Sequence, residues 1–296
     1  MSGQYDAVVR GVLLAGGRGT RLGPASAVIN KHLLPVFDKP LIYYPLSTLM
    51  LSGIRDLVVV TGPSDLPPIQ HLLGSGGHLG VHISYVIQEE PLGVADGLMR
   101  ARSEFGDEPV TLVLGDNVFH GAEFGLGLSQ AYTEGAAGIY GVRVPDPSRY
   151  AVAEIDPDGR LISLVEKPEV PRSPWVIPGL YVFPPDVWKF CSQLQPSSRG
   201  EFEIVDVLTQ YLDQDRLNIR LVSRASFWTD AGTPRSLLDA ANHIATLTSM
   251  HGELIASPEE IAFRQGWIDE PGLKSAINRL DGSEYAEHLR ACLGSR

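Results

Sequence analysis

The sequence predicts an α/β fold in which helices cover both faces of a mixed, mostly parallel sheet. Short apolar segments alternate with segments of helical periodicity through the first half of the chain. Several apolar segments are continuous, which is typical of parallel strands buried on both faces. The expected strands are 8–15, 56–61, 81–88, 110–115 and 138–144, and the expected helices are 40–52, 67–74, 94–105 and 124–134. This alternation indicates a Rossmann-like, three-layer architecture.

The second half of the chain is less regular. Turn residues 156–159 separate segments 150–155 and 161–165, which indicates a β-hairpin. Pro178 and Pro185 bracket another short strand, and 201–212, 234–248 and the tail from Pro258 onward read as helical. Because the chain carries no internal repeat and no low-complexity linker, we expect one domain over 1–296. Its core covers about 7–234 and its helical C-terminal extension about 235–296.

Composition excludes several classes of protein. A formal net charge of -11 argues against a nucleic-acid partner. The start of the chain lacks the features of a signal peptide, and the apolar run 41–54 is too short for a bilayer, so no membrane partner is expected. Cys191 and Cys292 lie in no metal or redox spacing, which indicates reduced thiols in a cytoplasmic protein.

The most informative segment is glycine-rich and follows the first strand. Residues 14–22 read LAGGRGTRL, and NKHLLP follows at 30–35. Glycines let the backbone turn sharply, and successive N–H groups can cradle phosphate oxygens beside the cations Arg18, Arg21 and Lys31. Neither the dinucleotide fingerprint nor the P-loop spacing is met, and a purely structural turn is the alternative. The charges favour a nucleoside triphosphate, bound by Leu14, Ala15, Gly16, Gly17, Gly19 and Thr20.

Two aspartates are candidates for a metal site. Asp116 ends a buried-looking strand, and Asp230 precedes Thr233 and Pro234. Strand-end or helix-capping hydrogen bonds would account for each one alone. Together they indicate a Mg²⁺ site, since this ion favours one or two carboxylates plus substrate phosphates.

Further motifs occur in a fixed order along the chain. They are DKPLIYYPL (38–46), VLGDN (113–117), EKP (166–168), GLY (179–181), RGE (199–201), WTDAGT (228–233) and PEEIAFR (258–264). With the glycine-rich segment, they resemble the short-form glucose-1-phosphate thymidylyltransferases of the sugar-1-phosphate nucleotidylyltransferase family. The similarity covers about 8–267.

This resemblance implies a reaction in which a sugar-1-phosphate oxygen attacks the α-phosphate of dTTP and pyrophosphate leaves. It implies catalytic roles for Arg21 and Lys31, reading of the base by Gln88 and Gly93, and Mg²⁺ held by Asp116 and Asp230, with Asp116 also contacting the nucleotide. It also implies a homotetramer. The implied sugar-phosphate residues are Tyr150, Ala151, Glu166, Lys167, Ile177, Gly179 and Arg199.

Two positions depart from the family pattern. Ala151 stands where a glycine is usual, and Pro178 replaces a threonine and so lacks an N–H donor. The loop 88–95, QEEPLGVA, is also more acidic and apolar than the family pattern. Another sugar- or cyclitol-1-phosphate therefore stays open as the acceptor, and another nucleoside triphosphate as the donor. A catalytically silent nucleotide-sugar sensor is a second alternative, and the failed fingerprint disfavours an NAD-dependent oxidoreductase.

Overall fold

A ten-stranded mixed sheet forms the centre of the part of the chain that the structure describes. The computed structural model describes residues 9–17, 19–124 and 135–294. The strands in these ranges are β1 (Arg10–Leu14), β2 (Pro35–Val36), β3 (Lys39–Pro40), β4 (Asp56–Thr61), β5 (His82–Ile87), β6 (Val110–Leu114), β7 (Asn117–His120), β8 (Ala137–Arg143), β9 (Ala151–Ile155), β10 (Leu161–Glu166), β11 (Trp175–Ile177), β12 (Leu180–Phe183), β13 (Leu217–Leu221) and β14 (Phe227–Asp230).

Helices connect these strands and form the C-terminal part of the chain. They are α1 (Tyr43–Leu51), α2 (Leu66–Leu73), α3 (Val94–Phe105), α4 (Val187–Ser192), α5 (Ile204–Leu212), α6 (Pro234–His251), α7 (Pro258–Arg264), α8 (Glu270–Arg279) and α9 (Glu284–Leu293). Short 3-10 helices lie at Thr20–Ser26, Lys31–Leu33 and Gly77–Leu79. None of the described helices combines the length and the apolar character that crossing a membrane requires.

The large sheet has a parallel core and an antiparallel end. Its order is β10-β9-β11-β8-β12-β6-β1-β4-β5, with β13 also paired to β8. Strands β6, β1, β4 and β5 run parallel, whereas β12 pairs antiparallel with both β6 and β8. Leu14 of β1 pairs with Leu114 of β6. The segments that follow these two strands therefore leave the sheet side by side, where ligands bind in folds of this kind.

Helices bury both faces of the sheet. Val12 joins an apolar cluster with residues of α3, α4 and α5, while its neighbour Leu13 joins a cluster on the opposite face with α1, α2 and α7. This alternation follows from the two-residue period of a strand. A separate apolar cluster, which includes Phe263, Leu273 and Leu289, joins the C-terminal helices.

The structure confirms the predicted fold class. Segments 56–61 and 94–105 have the predicted bounds, and the other predicted elements differ by one to three residues at their ends. Helix α1 begins later than expected because Lys39 and Pro40 pair with β2 instead. Residue 8 of the first predicted strand, and 125–134 of the predicted helix 124–134, lie outside the described residues. The division into a core and a C-terminal extension stays a prediction.

Candidate active site

Two adjoining cavities open beyond the carboxyl ends of the parallel strands. The first cavity, of about 230 Å³, is lined by the glycine-rich segment, Lys31 and Gln88. The second cavity, of about 170 Å³, lies toward the antiparallel end of the sheet. Val94, Leu114, Asp116 and Glu201 line both cavities, so the two form one continuous cleft.

The glycine-rich segment shapes one wall of the first cavity. Ala15 is fixed in the sheet, since its N–H donates to the carbonyl of Val60 at 2.8 Å and its carbonyl accepts the Thr61 hydroxyl at 3.1 Å. Gly16 and Gly17 then line the cavity, and Gly17 has a φ of +101° that favours glycine. The backbone can therefore turn away from the sheet at this point and expose its N–H groups.

His32 and the backbone of Leu14 pack closely against Gly115 beside the first cavity. A Cβ at this position would lie 2.7 Å from His32 Cδ2 and 2.7 Å from the carbonyl oxygen of Leu14. His32 is buried, and its Nδ1 lies 2.6 Å from Asn30 Oδ1. Burial, with a further contribution from the Lys31 charge, lowers the pKa of His32 to about 3 against the opposing effect of Asp116. His32 is therefore neutral near pH 7.

An ion pair between Lys31 and Asp116 lies at the junction of the two cavities. Lys31 Nζ donates to Asp116 Oδ2 at 2.5 Å, and Asn117 Nδ2 donates to Asp116 Oδ1 at 2.8 Å. The two charged side chains are only 12% and 15% exposed. Burial raises the pKa of Asp116, but attraction to Lys31 and the hydrogen bonds it accepts outweigh burial and hold it well below the usual range. Asp116 is therefore a carboxylate at neutral pH.

Strand pairing brings Asp230 beside Asp116. Asp230 of β14 pairs with Asn117 of β7, and the N–H of Ala231 donates to the carbonyl of Asp116 at 2.7 Å. The Tyr150 hydroxyl donates to Asp230 Oδ1 at 2.7 Å. Burial raises the pKa of Asp230 and the nearby Asp116 charge raises it further, while the Tyr150 hydrogen bond lowers it. Two carboxyl groups thus face one cleft.

Cations surround this acidic pair. Arg149 Nη2 lies 3.4 Å and Arg21 Nη2 3.8 Å from Asp230 Oδ2. The Arg21 side chain is 56% exposed and can reach a bound ligand. The described residues contain no group of three or more His, Cys, Asp or Glu side chains suited to a metal ion.

Strand register assembles the second cavity. Ala151 of β9 pairs with Glu166 of β10 on one side and with Ile177 of β11 on the other. Lys167 follows with a φ of +44°, donates its N–H to the carbonyl of Tyr150 at 3.0 Å, and places Nζ 3.0 Å from Glu166 Oε1. Four predicted sugar-phosphate residues therefore lie together, because β9 begins where its two antiparallel neighbours, β10 and β11, end.

Arg199 lines the second cavity and forms ion pairs with three glutamates there. Its Nη2 lies 2.7 Å from Glu203, 3.3 Å from Glu201 and 3.4 Å from Glu166. Burial lowers the pKa of Arg199, but the hydrogen bond and charge of Glu203 outweigh that effect and raise it. In this arrangement Arg199 fixes acidic side chains, and its predicted contact with a phosphate stays a prediction.

Asn117 lines the second cavity and is held by three hydrogen bonds. Its Oδ1 accepts the N–H of Gly179 at 3.0 Å and Trp228 Nε1 at 2.6 Å. A Cβ at Gly179 would lie 2.5 Å from Leu114 Cγ, which explains why glycine stands there. The Trp228 ring meets the Tyr150 ring edge-on at a centroid distance of 5.2 Å. Asn117 therefore positions both the acidic pair and the wall of the second cavity.

Most predicted site residues line the cleft. Leu14, Gly16, Gly17, Lys31, Gln88, Gly93 and Asp116 line the first cavity. The second cavity is lined by Arg21, Asp116, Tyr150, Ala151, Glu166, Lys167, Ile177, Gly179, Arg199 and Asp230. Ala15, Gly19 and Thr20 do not line either cavity, and Arg18 lies outside the described residues.

Sequence reasoning assigned no role to several residues that line the cleft. They are His32, Pro91, Val94, Leu114, Asn117, Arg149, Tyr181, Glu201, Glu203, Ile204 and Trp228. Asn117 carried a signal, since a polar amide next to Asp116, close behind the predicted strand 110–115, needs hydrogen-bond partners. The apolar members carried none, because a cavity-lining apolar residue and a core residue look alike in sequence.

The three-layer fold and the charged cleft beyond its parallel strands define a nucleotidyl transferase. The chain belongs to the nucleotidyl transferase family, whose sequence profile matches residues 10–246. It is 44% identical over 281 residues to the glucose-1-phosphate thymidylyltransferase of Mycobacterium tuberculosis (strain ATCC 25618 / H37Rv), covering 95% of this chain and 98% of the relative. It is 41% identical over 288 residues to the enzyme of that name from Neisseria gonorrhoeae, covering 97% of this chain and 100% of the relative.

Solved structures show the same architecture. A crystal structure from Bacillus anthracis, described as a glucose-1-phosphate thymidylyltransferase in complex with a sucrose, superposes with a TM-score of 0.74. It is 34% identical and covers 79% of this chain and 94% of that chain. A UDP-glucose pyrophosphorylase complexed with UDP-glucose, 23% identical with a TM-score of 0.70, shares the fold and covers 81% of this chain and 99% of that chain.

Proposed function

We propose that this chain transfers a thymidylyl group from dTTP to glucose-1-phosphate, giving dTDP-glucose and pyrophosphate. The full-length similarity to glucose-1-phosphate thymidylyltransferases supports this reaction. The observation that carries it is the continuous cleft, in which two cavities meet at the ion pair of Lys31 and Asp116. One cavity suits a nucleoside triphosphate, and the other suits a sugar phosphate.

The first cavity receives dTTP. The backbone N–H groups of the glycine-rich segment, from Gly16 onward, bind phosphate oxygens, and the positive φ of Gly17 turns the chain toward them. Gln88 and Gly93 face the base from the opposite wall. Arg21 lines the second cavity beside Asp230, and its half-exposed side chain adds positive charge that can reach the triphosphate.

The second cavity receives the sugar phosphate. Glu166 accepts hydrogen bonds from sugar hydroxyls, since a carboxylate offers only acceptors. Lys167, 3.0 Å from Glu166, contacts the phosphate. Tyr150 and Ile177 enclose the ring from either side of Ala151. The antiparallel end of the sheet therefore supplies recognition of the acceptor.

The chemistry requires alignment more than proton transfer. A phosphate monoester has a second pKa of about 6, so the attacking oxygen is already ionised at neutral pH. His32 is neutral and beside Asn30, and it is not needed as a general base. Lys31 neutralises charge that develops as the two phosphates approach each other. Fixed positions for both substrates contribute the remaining acceleration.

The acidic pair fits a divalent cation. Asp116 and Asp230 face one cleft, and burial together with the Asp116 charge raises the pKa of Asp230. Such a pair, completed by substrate phosphates, is the kind of site that Mg²⁺ favours. We therefore assign Asp116 and Asp230 as Mg²⁺ ligands. When bound, the ion supplies positive charge at the phosphates, while Lys31 and Arg21 hold the substrates.

A pyrophosphate-release screen tests the proposed function. The purified protein is assayed with dTTP, UTP, dCTP and dATP against glucose-1-phosphate and other sugar-1-phosphates. We expect dTTP with glucose-1-phosphate to give the highest kcat/KM. Asp230→Asn should lower that value strongly, whereas Asp215→Asn, at a side chain that is 90% exposed, should not. A folded wild-type protein that releases no pyrophosphate with this pair would overturn the proposal and favour a silent sensor.

A further inference from the structure

The carboxamide of Gln88 has a fixed orientation in the first cavity. Its Nε2 donates to Asp96 Oδ2 at 2.8 Å and to the carbonyl of Gly93 at 3.2 Å. Both hydrogens of the amide are therefore used. A carboxylate and a carbonyl are acceptors only, so a reversed carboxamide would set Oε1 against two other oxygens. Asp96 and the Gly93 carbonyl thus both oppose the reversed orientation, with Asp96 the closer and the charged partner.

Asp96 is itself held in place. It lies in the first turn of α3, where a negative charge is favoured by the helix dipole. Arg100, one turn later, donates from Nη2 to Asp96 Oδ1 at 3.2 Å. The Asp96 side chain is only 12% exposed. The arrangement Arg100–Asp96–Gln88 is therefore anchored on a helix rather than on a mobile loop.

The opposite side of the carboxamide faces the cleft. Gln88 Oε1 lies 3.3 Å from the position that a Cβ would take on Gly16, which lines the same cavity, and 3.5 Å from that of a Cβ on Gly97 of α3. No residue in the described ranges donates a hydrogen bond to this oxygen. The cavity therefore presents an unpaired acceptor beside the glycine-rich segment.

We infer that Asp96 is a positioning residue that sets the choice of nucleobase by aiming Oε1 of Gln88 at the bound base. This inference rests on the proposed function, which places the base in the first cavity. Thymine and uracil carry a hydrogen on ring nitrogen N3 and satisfy the acceptor. Cytosine has the same size but an unprotonated N3, so two acceptors would face each other.

Equilibrium binding of dTTP and dCTP tests this inference. Dissociation constants are measured without sugar phosphate for the wild type, Asp96→Asn and Asp107→Asn. Asp107 is the matched control, because it also pairs with an arginine of α3 but lies two residues beyond the other end of that helix. We expect the wild type to bind dTTP at least about 100-fold more tightly than dCTP, since a site built for a hydrogen bond rejects a mismatched analogue.

In Asp96→Asn the amide at position 96 can pair with either orientation of Gln88, so only the neutral Gly93 carbonyl still opposes the reversed one. The ratio of the two dissociation constants should then fall about 10-fold or more, through tighter dCTP binding and weaker dTTP binding. Asp107→Asn should keep the wild-type ratio. Arg100→Ala keeps the Asp96 carboxylate but removes the hydrogen bond that holds it in place. The ratio of the two dissociation constants in this variant should therefore lie between the ratios of the wild type and Asp96→Asn.

The outcomes separate this inference from the proposed function. If Asp96→Asn weakens both nucleotides equally and keeps their ratio, Asp96 has only a structural role and the inference is wrong. If the thermal unfolding midpoint of Asp96→Asn falls sharply, the test passes to Arg100→Ala. A ratio of dCTP to dTTP dissociation constants in Arg100→Ala equal to that of the wild type then overturns the inference. If the wild type binds dTTP selectively but transfers nothing to glucose-1-phosphate, the proposed function fails while the assignment of Asp96 stands.

Discussion

Replacing Lys31 by methionine separates its role in catalysis from its role in stability. The substitution leaves Asp116 buried without its cation, which lies 2.5 Å away in the wild type. Removing one partner of a buried pair costs 3–5 kcal/mol, and because these side chains stay 12% and 15% exposed we expect about 2–3 kcal/mol. Loss of a preorganised charge should lower kcat and kcat/KM together by about 10²-fold or more.

Urea unfolding and initial rates measure the two effects. The double variant Lys31→Met/Asp116→Asn should recover most of the lost stability, because the orphaned charge is removed, but none of the activity. In Lys31→Met, burial raises the folded pKa of Asp116 above its unfolded value, so the folded protein binds a proton more readily than the unfolded chain. The loss of unfolding free energy relative to the wild type should therefore become smaller as the pH falls toward 4. Lys189→Met, at an exposed lysine of α4, is the control. An unchanged kcat in a folded Lys31→Met protein would refute the reasoning.

Four further predictions concern pH, the metal, the sugar and assembly. The pKa of His32 is about 3 in the folded state against 6.5 in the unfolded state, so the unfolded chain binds the extra proton and stability falls as the pH drops below 6.5. At about 1.4 kcal/mol per pH unit, the wild type should lose about 2 kcal/mol more than His32→Gln between pH 6.5 and 5 in urea unfolding. Excess chelator should abolish pyrophosphate release and added Mg²⁺ restore it; full activity in chelator would contradict the assignment of Asp116 and Asp230. Ala151→Gly should widen the margin in kcat/KM by which glucose-1-phosphate leads deoxy, amino and cyclitol analogues, and an unchanged ranking would show that the methyl group is neutral. Light scattering should report a homotetramer, and a concentration-independent monomer would exclude it.

The sequence predicted the parallel core and the residues at its edge because both depend on local patterns. Continuous apolar segments predicted β4 and β6, and the carboxylate of Asp116, two residues beyond the end of β6, was predicted at the carboxyl edge. The position of the glycine-rich segment in the site could also be predicted from sequence, since sharp turns and phosphate-binding loops both favour glycine. The resemblance, rather than any local pattern, supplied the residues of the second cavity.

Contacts between distant segments could not be predicted. Asn117 and Trp228 are 111 positions apart, and only the pairing of β7 with β14 brings them within 2.6 Å. Strand β14 covers four residues and precedes Thr233, so its sequence also suited the start of a helix. The link from Asp96 to Gln88 was missed for a related reason, because an aspartate in the first turn of a helix is common without any ligand role.

The most direct test of this account is the structure of the protein with dTDP-glucose bound. We expect the thymine beside Gln88 and Gly93 in the first cavity and the glucose beside Ala151, Glu166 and Ile177 in the second. The diphosphate should cross the junction near Lys31 and Asp116. Density for dTDP-glucose confined to another surface, such as the groove between Gly77–Leu79 and helix α8, would contradict the account.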